Sequence, residues 1–211
     1  MTDLDPALRE LIGQLSSVGA DAVGRGLVLA SGGNLSARLP GSETFVVTGK
    51  GTWLDRLDVD DFAVMDLDGG VLGGAEPSSE WKLHQRTYRA RPDVSCVIHL
   101  HPQMSVLLTA LGHPIRLMTL DHAFYVKSIG TTPYFPNGSD ELADSAADQA
   151  RTHNCVVLGN HGCSAVADSI EMAYRRALNL EQAATATFHA LQLGDTTTSF
   201  PPEELERLHH A

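Results

Sequence analysis

The spacing of apolar residues changes period early in the chain. Leu8, Leu11, Ile12 and Leu15 recur every three or four positions, the stripe of an amphipathic helix, with Asp5 as cap and Pro6 in the first turn. The pattern predicts a helix from residue 5 to about 29, weakened near its end by Gly19, Gly24 and Gly26. After Ser31-Gly32-Gly33 the period falls to two. Leu35, Ala37 and Leu39 alternate with polar residues, and Pro40-Gly41 turns the chain into a second strand over Thr44–Thr48, so the two form a hairpin. Residues 53–57 predict a short helical turn, and 62–67 a further strand ended by Asp68-Gly69-Gly70.

In the second half, Ser78-Ser79-Glu80 opens a helix to about Arg89, with serine at the cap and an acid in the first turn. Pro92-Asp93 ends it. A strand over 94–100, a helix over 102–111 and an irregular strand-like stretch over 115–135 follow. Ser139 or Asp140 caps a helix to about His153. Cys155–Leu158 reads as a buried strand, Asn160-His161-Gly162 as a turn and 163–167 as a strand. Asp168 or Ser169 starts a long helix to about Leu193, and the polar tail holds a short helix from Glu203 to His210. Tight turns between neighbouring strands argue for a mixed, mostly antiparallel sheet covered by helices, in one α/β domain over residues 1–211.

Composition narrows the function. With 43% apolar and 19% charged residues, the 211-residue chain is neither disordered nor fibrous. No stretch approaches the ~18 apolar residues of a membrane span. The acidic start, MTDLDPALRE, carries no apolar signal region, which reads as a cytoplasmic protein. A net charge of -11 without any Lys/Arg run excludes nucleic acid and anionic membranes as partners. A bound phosphate would have to be held by backbone amides and helix ends. Cys96, Cys155 and Cys163 are odd in number and lack a Cys-x-x-Cys pair, as expected of reduced, buried thiols.

Candidate chemistry sits in two groups of residues. His99 and His101, two apart at a strand end, face one side and can reach one ion; His161 can add a third imidazole. The bland alternative is a polar strand edge. Glu80 is either a helix-cap carboxylate or a metal ligand that doubles as general base. Gly32-Gly33-Asn34-Leu35-Ser36, Thr48-Gly49 and Ser78-Ser79 are either separate turns and caps or, together, a phosphate cradle.

Five motifs in register, over about residues 5–190, resemble the class II aldolase/adducin family. They are Gly33-Asn34-Leu35-Ser36-Ala37-Arg38, Val47-Thr48-Gly49, Pro77-Ser78-Ser79-Glu80-Trp81, Arg91-Pro92-Asp93 with His99-Leu100-His101, and Asn160-His161-Gly162. The resemblance implies an α/β/α sandwich around a mostly antiparallel sheet. It implies metal binding by His99, His101 and His161, normally one zinc per chain, with another divalent metal fitting the same ligands. It makes Glu80 the general acid/base, and it assigns substrate phosphate to Gly33, Asn34, Thr48, Gly49, Ser78 and Ser79. The implied assembly is a homotetramer with active sites at subunit interfaces, and the partner is a small phosphorylated carbonyl compound. The implied activity is a metal-dependent aldehyde lyase that makes or cleaves a ketose 1-phosphate from dihydroxyacetone phosphate and an aldehyde, through an enediolate. Decarboxylases, epimerases and dehydratases share the scaffold. An adducin-like binding domain would have lost the metal ligands retained here. The tyrosine that family aldolases donate across the interface is missing from its ungapped position, where Leu120 stands beside Asp121. His122 first and Tyr125 second are the expected replacement proton donors.

Overall fold

The computed structural model describes residues 5–209. The first helix, α1 (Pro6–Gly24), starts where its cap dictates: Asp5 Oδ1 accepts from Ala7 N at 2.8 Å, and Pro6 occupies the first position. It stops at Gly24 rather than near 29. Leu27 N donates to Ala22 O and Gly26 N to Val23 O, with Gly26 at φ +72°. That left-handed reversal closes the helix, and glycine adopts it without a Cβ clash.

Strands β1 (Asn34–Ala37), β2 (Thr44–Thr48), β3 (Phe62–Asp66), β4 (Val71–Gly74), β5 (Cys96–Leu100), β6 (Ile129–Thr132), β7 (Cys155–Leu158) and β8 (Gly162–Ala167) form one sheet. Their order is β4-β3-β2-β1-β5-β8-β7-β6. Every neighbouring pair is antiparallel except β6 and β7, whose parallel pairing is made by a crossover through α4 (Asp140–Ala150), capped by Ser139. The mixed, mostly antiparallel sheet matches expectation; β4 is an addition. All four of its residues are exposed at the sheet edge and two are glycine, so no buried alternation marked it.

Alternation along the strands feeds two helical layers. Leu35, Ile98, Leu100, Val157 and Ala165 face α1 and the long α5 (Ile170–Gln192), meeting Ile12, Leu15, Ala177 and Leu180. On the other face, Val47, Met65 and Val97 meet Tyr88 of α2 (Trp81–Ala90), while Val156 and Leu158 meet Leu83 of α2 and Leu142 of α4. Burying each such side chain contributes about 1.5–3 kcal/mol. The three cysteines are buried and unpaired.

Two expected elements differ in detail. Within 115–135 only β6 is a strand; before it runs a π-helical turn, His122–Val126, ended by Lys127 at φ +61°. An inserted residue per turn breaks the two-residue period that strand reading relies on. The tail helix α6 covers Pro202–His209; the expected last residue, His210, lies outside the described residues. No helix among the described residues is long and apolar enough to cross a membrane.

The register decides what happens next. Asn34 lies directly opposite His99, and Asn34, Ser36 and His99 all project to the α2 side of the sheet, because Leu35 and Ile98 project to the other.

Candidate active site

β5 carries His99 into the α2 layer and hands the chain to His101, just before α3 (Gln103–Ala110). The turn between β7 and β8 brings His161 alongside, with Asn160 at φ +54° and Gly162 at the close approach. A Cβ on Gly162 would sit 2.4 Å from Leu100 O and 2.7 Å from His101 Cδ2, so only glycine lets the turn reach the His-Leu-His strand. The three imidazole centroids lie 4.9–5.0 Å apart. Glu80 closes the group from the N-terminus of α2, where it is the cap residue and not a first-turn residue. It makes no cap hydrogen bond; its carboxylate turns inward, with Oε2 3.2 Å from His99 Nε2 and Oε1 3.4 Å from His161 Nε2.

These four residues offer ligand atoms within 4.8 Å of one another, and among the described residues they are the one such group of His, Cys, Asp and Glu. Hydrogen bonding supports a shared cation. His99 Nδ1 donates to Cys163 O at 2.9 Å, which leaves Nε2 of the neutral ring as a bare acceptor. That atom faces His101 Nε2 at 3.0 Å and the Glu80 carboxylate at 3.2 Å, and against the carboxylate it is acceptor against acceptor unless a cation lies between them. Glu80 Oε1 and His161 Nδ1 are buried without a hydrogen-bond partner, a state that costs about 1–3 kcal/mol per group. Burial pushes His101 down to about 3 and lowers His161, which keeps both imidazoles in the neutral, metal-binding form. Burial opposes ionisation of Glu80, but His99, His161 and Asn34 outweigh it and hold the carboxyl well below its usual range. Three imidazoles and a carboxylate are the donor set of a borderline divalent metal.

Glu80 and His101 also form one end of a small polar cavity of about 100 Å³. Gly33, Asn34, Gly49, Ser78 and Ser79 line it, together with residues outside the expected set: Ser31, Gly51, Thr52 and Asn137. Gly33 stands at φ +70° against His99 O, a position closed to larger residues. Gly138, next to Asn137, presses on Ser79 O in the same way, and so seats the loop before α4 on the cavity rim. One expected donor is committed elsewhere: Gly49 N donates to Asp61 O at 2.6 Å. Thr48 does not line the cavity, and its Oγ1 accepts from Leu35 N, tying β1 to β2; Ser78 Oγ accepts from Glu80 N and keeps its hydroxyl proton to donate. Among the described residues, none accepts from the backbone N–H of Gly51 or Ser79. No Lys or Arg lines the cavity.

His122 and Tyr125 do not join this cavity within the chain. His122 is buried in the π turn, where its Nδ1 accepts from Met118 N at 3.4 Å and burial lowers its pKa. The Tyr125 hydroxyl accepts from Arg175 at 3.1 Å.

The family model described as "Class II Aldolase and Adducin N-terminal domain" matches residues 13–188. The chain belongs to the class II aldolase and adducin family. It is 36% identical to an L-fuculose phosphate aldolase of Methanocaldococcus jannaschii, over 77% of this chain and 87% of that protein. It is 32% identical to a 3-oxo-tetronate 4-phosphate decarboxylase of Haemophilus influenzae, over 89% of both. A solved L-fuculose 1-phosphate aldolase superposes with a TM-score of 0.89 at 28% identity, covering 98% of this chain and 96% of that one. The expected α/β/α fold is thus that of the class II aldolases.

Behind the histidine cluster, this family member carries a buried polar row in addition to the expected site residues. Asn34 Nδ2 donates to Glu80 Oε2 at 2.8 Å, and Asn34 Oδ1 meets His84 Nε2. His84 Nδ1 meets Ser36 Oγ at 2.6 Å, and Ser36 Oγ meets Tyr88 Oη at 2.7 Å. The spacing was visible: 80, 84 and 88 share one face of a helix, and 34 and 36 one face of a strand.

Proposed function

We propose that this chain is a metal-dependent lyase acting on a small phosphorylated carbonyl compound, with dihydroxyacetone phosphate and an aldehyde as the first candidates. One observation carries the reading: a buried carboxylate flanked by three imidazoles opens onto a small cavity that is also lined by hydroxyls and unused backbone N–H groups. Zinc, held by His99, His101, His161 and in the resting state Glu80, would supply Lewis acidity to a substrate carbonyl.

The chain's own groups do the rest. Glu80 takes the proton α to the carbonyl, and Asn34 holds the carboxylate in place as it does so. The resulting enediolate carbon forms a bond to the aldehyde carbon, and the aldehyde oxygen takes a proton from a second acid. Reversed, the same steps cleave a ketose 1-phosphate. Ser31, Gly51 and Ser79 hold the phosphate, where backbone N–H groups and the α2 N-terminus favour an anion without a basic side chain. Lys50 and Lys82 are ion-paired at the surface with Glu76 and Asp140, away from a Schiff-base role. The second acid is His122 or Tyr125 of a neighbouring subunit in a homotetramer. Exposed Leu107, Leu111, Leu120 and Phe124 give such an assembly apolar surface to cover.

A second reading is a decarboxylase on the same scaffold. It is favoured by the 32% identity to the Haemophilus influenzae protein. An activity panel on zinc-loaded protein separates the two: dihydroxyacetone phosphate with several aldehydes, pentulose 5-phosphates and phosphorylated 3-oxo acids. New C–C bonds from dihydroxyacetone phosphate support the lyase; CO2 release alone replaces it with the decarboxylase; no turnover of either kind overturns both.

A further inference from the structure

Five buried side chains run in line from the metal cluster into the protein: Glu80, Asn34, His84, Ser36 and Tyr88. Three come from one face of α2 at four-residue spacing, and two from one face of β1 at two-residue spacing, so helix and strand interlock like a zipper. All five are buried, with His84 fully so.

Donor and acceptor roles along the line are forced. The Glu80 carboxylate accepts, so the Asn34 amide turns its NH2 toward it and its Oδ1 toward His84. Oδ1 accepts only, so His84 carries its proton on Nε2. The bare Nδ1 then accepts from the Ser36 hydroxyl, and Ser36 Oγ accepts from the Tyr88 hydroxyl. Every donor points toward Glu80. The far end is clamped: Arg38, buried, lies over the Tyr88 ring at 4.7 Å and donates to the carbonyls of Val94, Pro92 and Arg91 at 2.9–3.2 Å. Burial lowers His84 to about 3, which keeps the ring neutral as the line requires.

We propose that His84 is a positioning residue: held in its Nε2–H tautomer by Ser36 and Tyr88, it fixes the Asn34 amide and through it the orientation of Glu80. The inference rests on the proposed role of Glu80, but its own tests do not need a substrate. Asn34 alone can flip its amide end for end; with His84 donating to Oδ1, the flipped state places NH2 against N–H and its oxygen against the carboxylate.

Nitrogen-15 spectra of the histidine rings test the geometry. His84 should show a protonated Nε2 and a bare Nδ1 from pH 5 to 8, and Ser36→Ala should mix the tautomers. A protonated Nδ1 in the native chain overturns the proposal. Zinc affinity, measured by competition with a chromophoric chelator, tests the consequence. His84→Phe should weaken zinc about tenfold, the low end of the range for groups that orient metal ligands, and His84→Gln, which can donate to Asn34, should restore it. In a Glu80→Ala background His84→Phe should have no further effect; the same loss in both backgrounds overturns positioning through Glu80. If His84→Phe does not fold, Tyr88→Phe and Ser36→Ala carry the same cycle, with losses severalfold in the native background and none without Glu80. Should the substrate panel find no turnover, the lyase reading falls while the spectra and the zinc cycle still decide this one.

Discussion

Glu80, His99, His101 and His161 carry chemistry that only those residue types supply, and Glu80 and His101 line the cavity; Gly51 and Ser79, which line it too, offer backbone N–H groups that almost any residue would carry. If the first group is a metal end and the second a phosphate cradle, as we propose, the metal end depends on identity and the cradle end on conformation. The two are joined by consecutive residues just before α2: on the proposed function, Ser79 belongs to the cradle and Glu80 to the metal site. Substitutions at the metal end should therefore abolish chemistry whatever the substrate, and side-chain substitutions in the cradle should tune affinity for one part of the substrate.

The largest effect is expected at the carboxylate. Glu80→Gln keeps the size of the side chain and its contact with Asn34 but cannot take a proton, so turnover should fall on the order of 10²–10⁴-fold with the fold intact. Steady-state kinetics with matched thermal melts check this. Near-normal turnover would mean that Glu80 takes no part in proton transfer.

Next comes the ion itself. His99→Ala removes the ligand whose tautomer is set by Cys163 O, and zinc affinity should drop at least tenfold, since even changes to the groups behind metal ligands cost that much. Metal content after dialysis is the measurement; an unchanged value sinks the assignment.

The contrast also explains what could be read from residues alone. His99 and His101 were legible because strand alternation puts i and i+2 on one side, and His161 because a histidine before a turn glycine was already singled out. Cradle residues Gly51, Thr52 and Asn137 were not, because they enter from loops whose positions depend on the whole sheet. Gly49 lines the cavity, but its N–H is taken by Asp61 O, a contact that no local pattern reveals. His84 and Tyr88 were missed for another reason: polar residues inside a polar helix read as its solvent face, and only β1, pairing opposite β5, turns that face inward. The helix end at Gly24 shows the same limit at small scale, since three glycines in a row of candidates do not say which one reverses the chain.

A smaller effect separates the buried row from the open rim by pH. Burial lowers His84 from 6.5 to about 3, so the unfolded chain binds a proton that the folded chain refuses. His84 costs nothing above pH 6.5, and stability falls as pH drops below it, by up to about 1.4 kcal/mol per pH unit until the folded group titrates. Urea denaturation at pH 7, 6 and 5 should show native protein losing stability faster than His84→Gln. A difference between the two that is constant over this range would mean that His84 keeps its ordinary proton affinity in the fold.

The smallest change belongs to the cradle. Ser79 is exposed at the rim, and the N–H that Ser79→Ala retains is the group we expect to hold most of the phosphate. Only the hydroxyl is lost, one hydrogen bond of about 0.5–1.5 kcal/mol, so KM for a phosphorylated substrate should rise roughly two- to tenfold with kcat unchanged. Zinc affinity should not move, because Ser79 contributes no ligand. An unphosphorylated analogue should feel nothing, since it leaves that rim empty in both proteins. This pairing makes the test sharp: the same rise for both substrates would mean that Ser79 shapes the cavity as a whole, and that the anion held there is something other than phosphate, such as the carboxylate of an oxo acid. A fall in kcat at unchanged KM would mean instead that the change has passed along the helix start to Glu80, and that the two ends of the cavity are not separable.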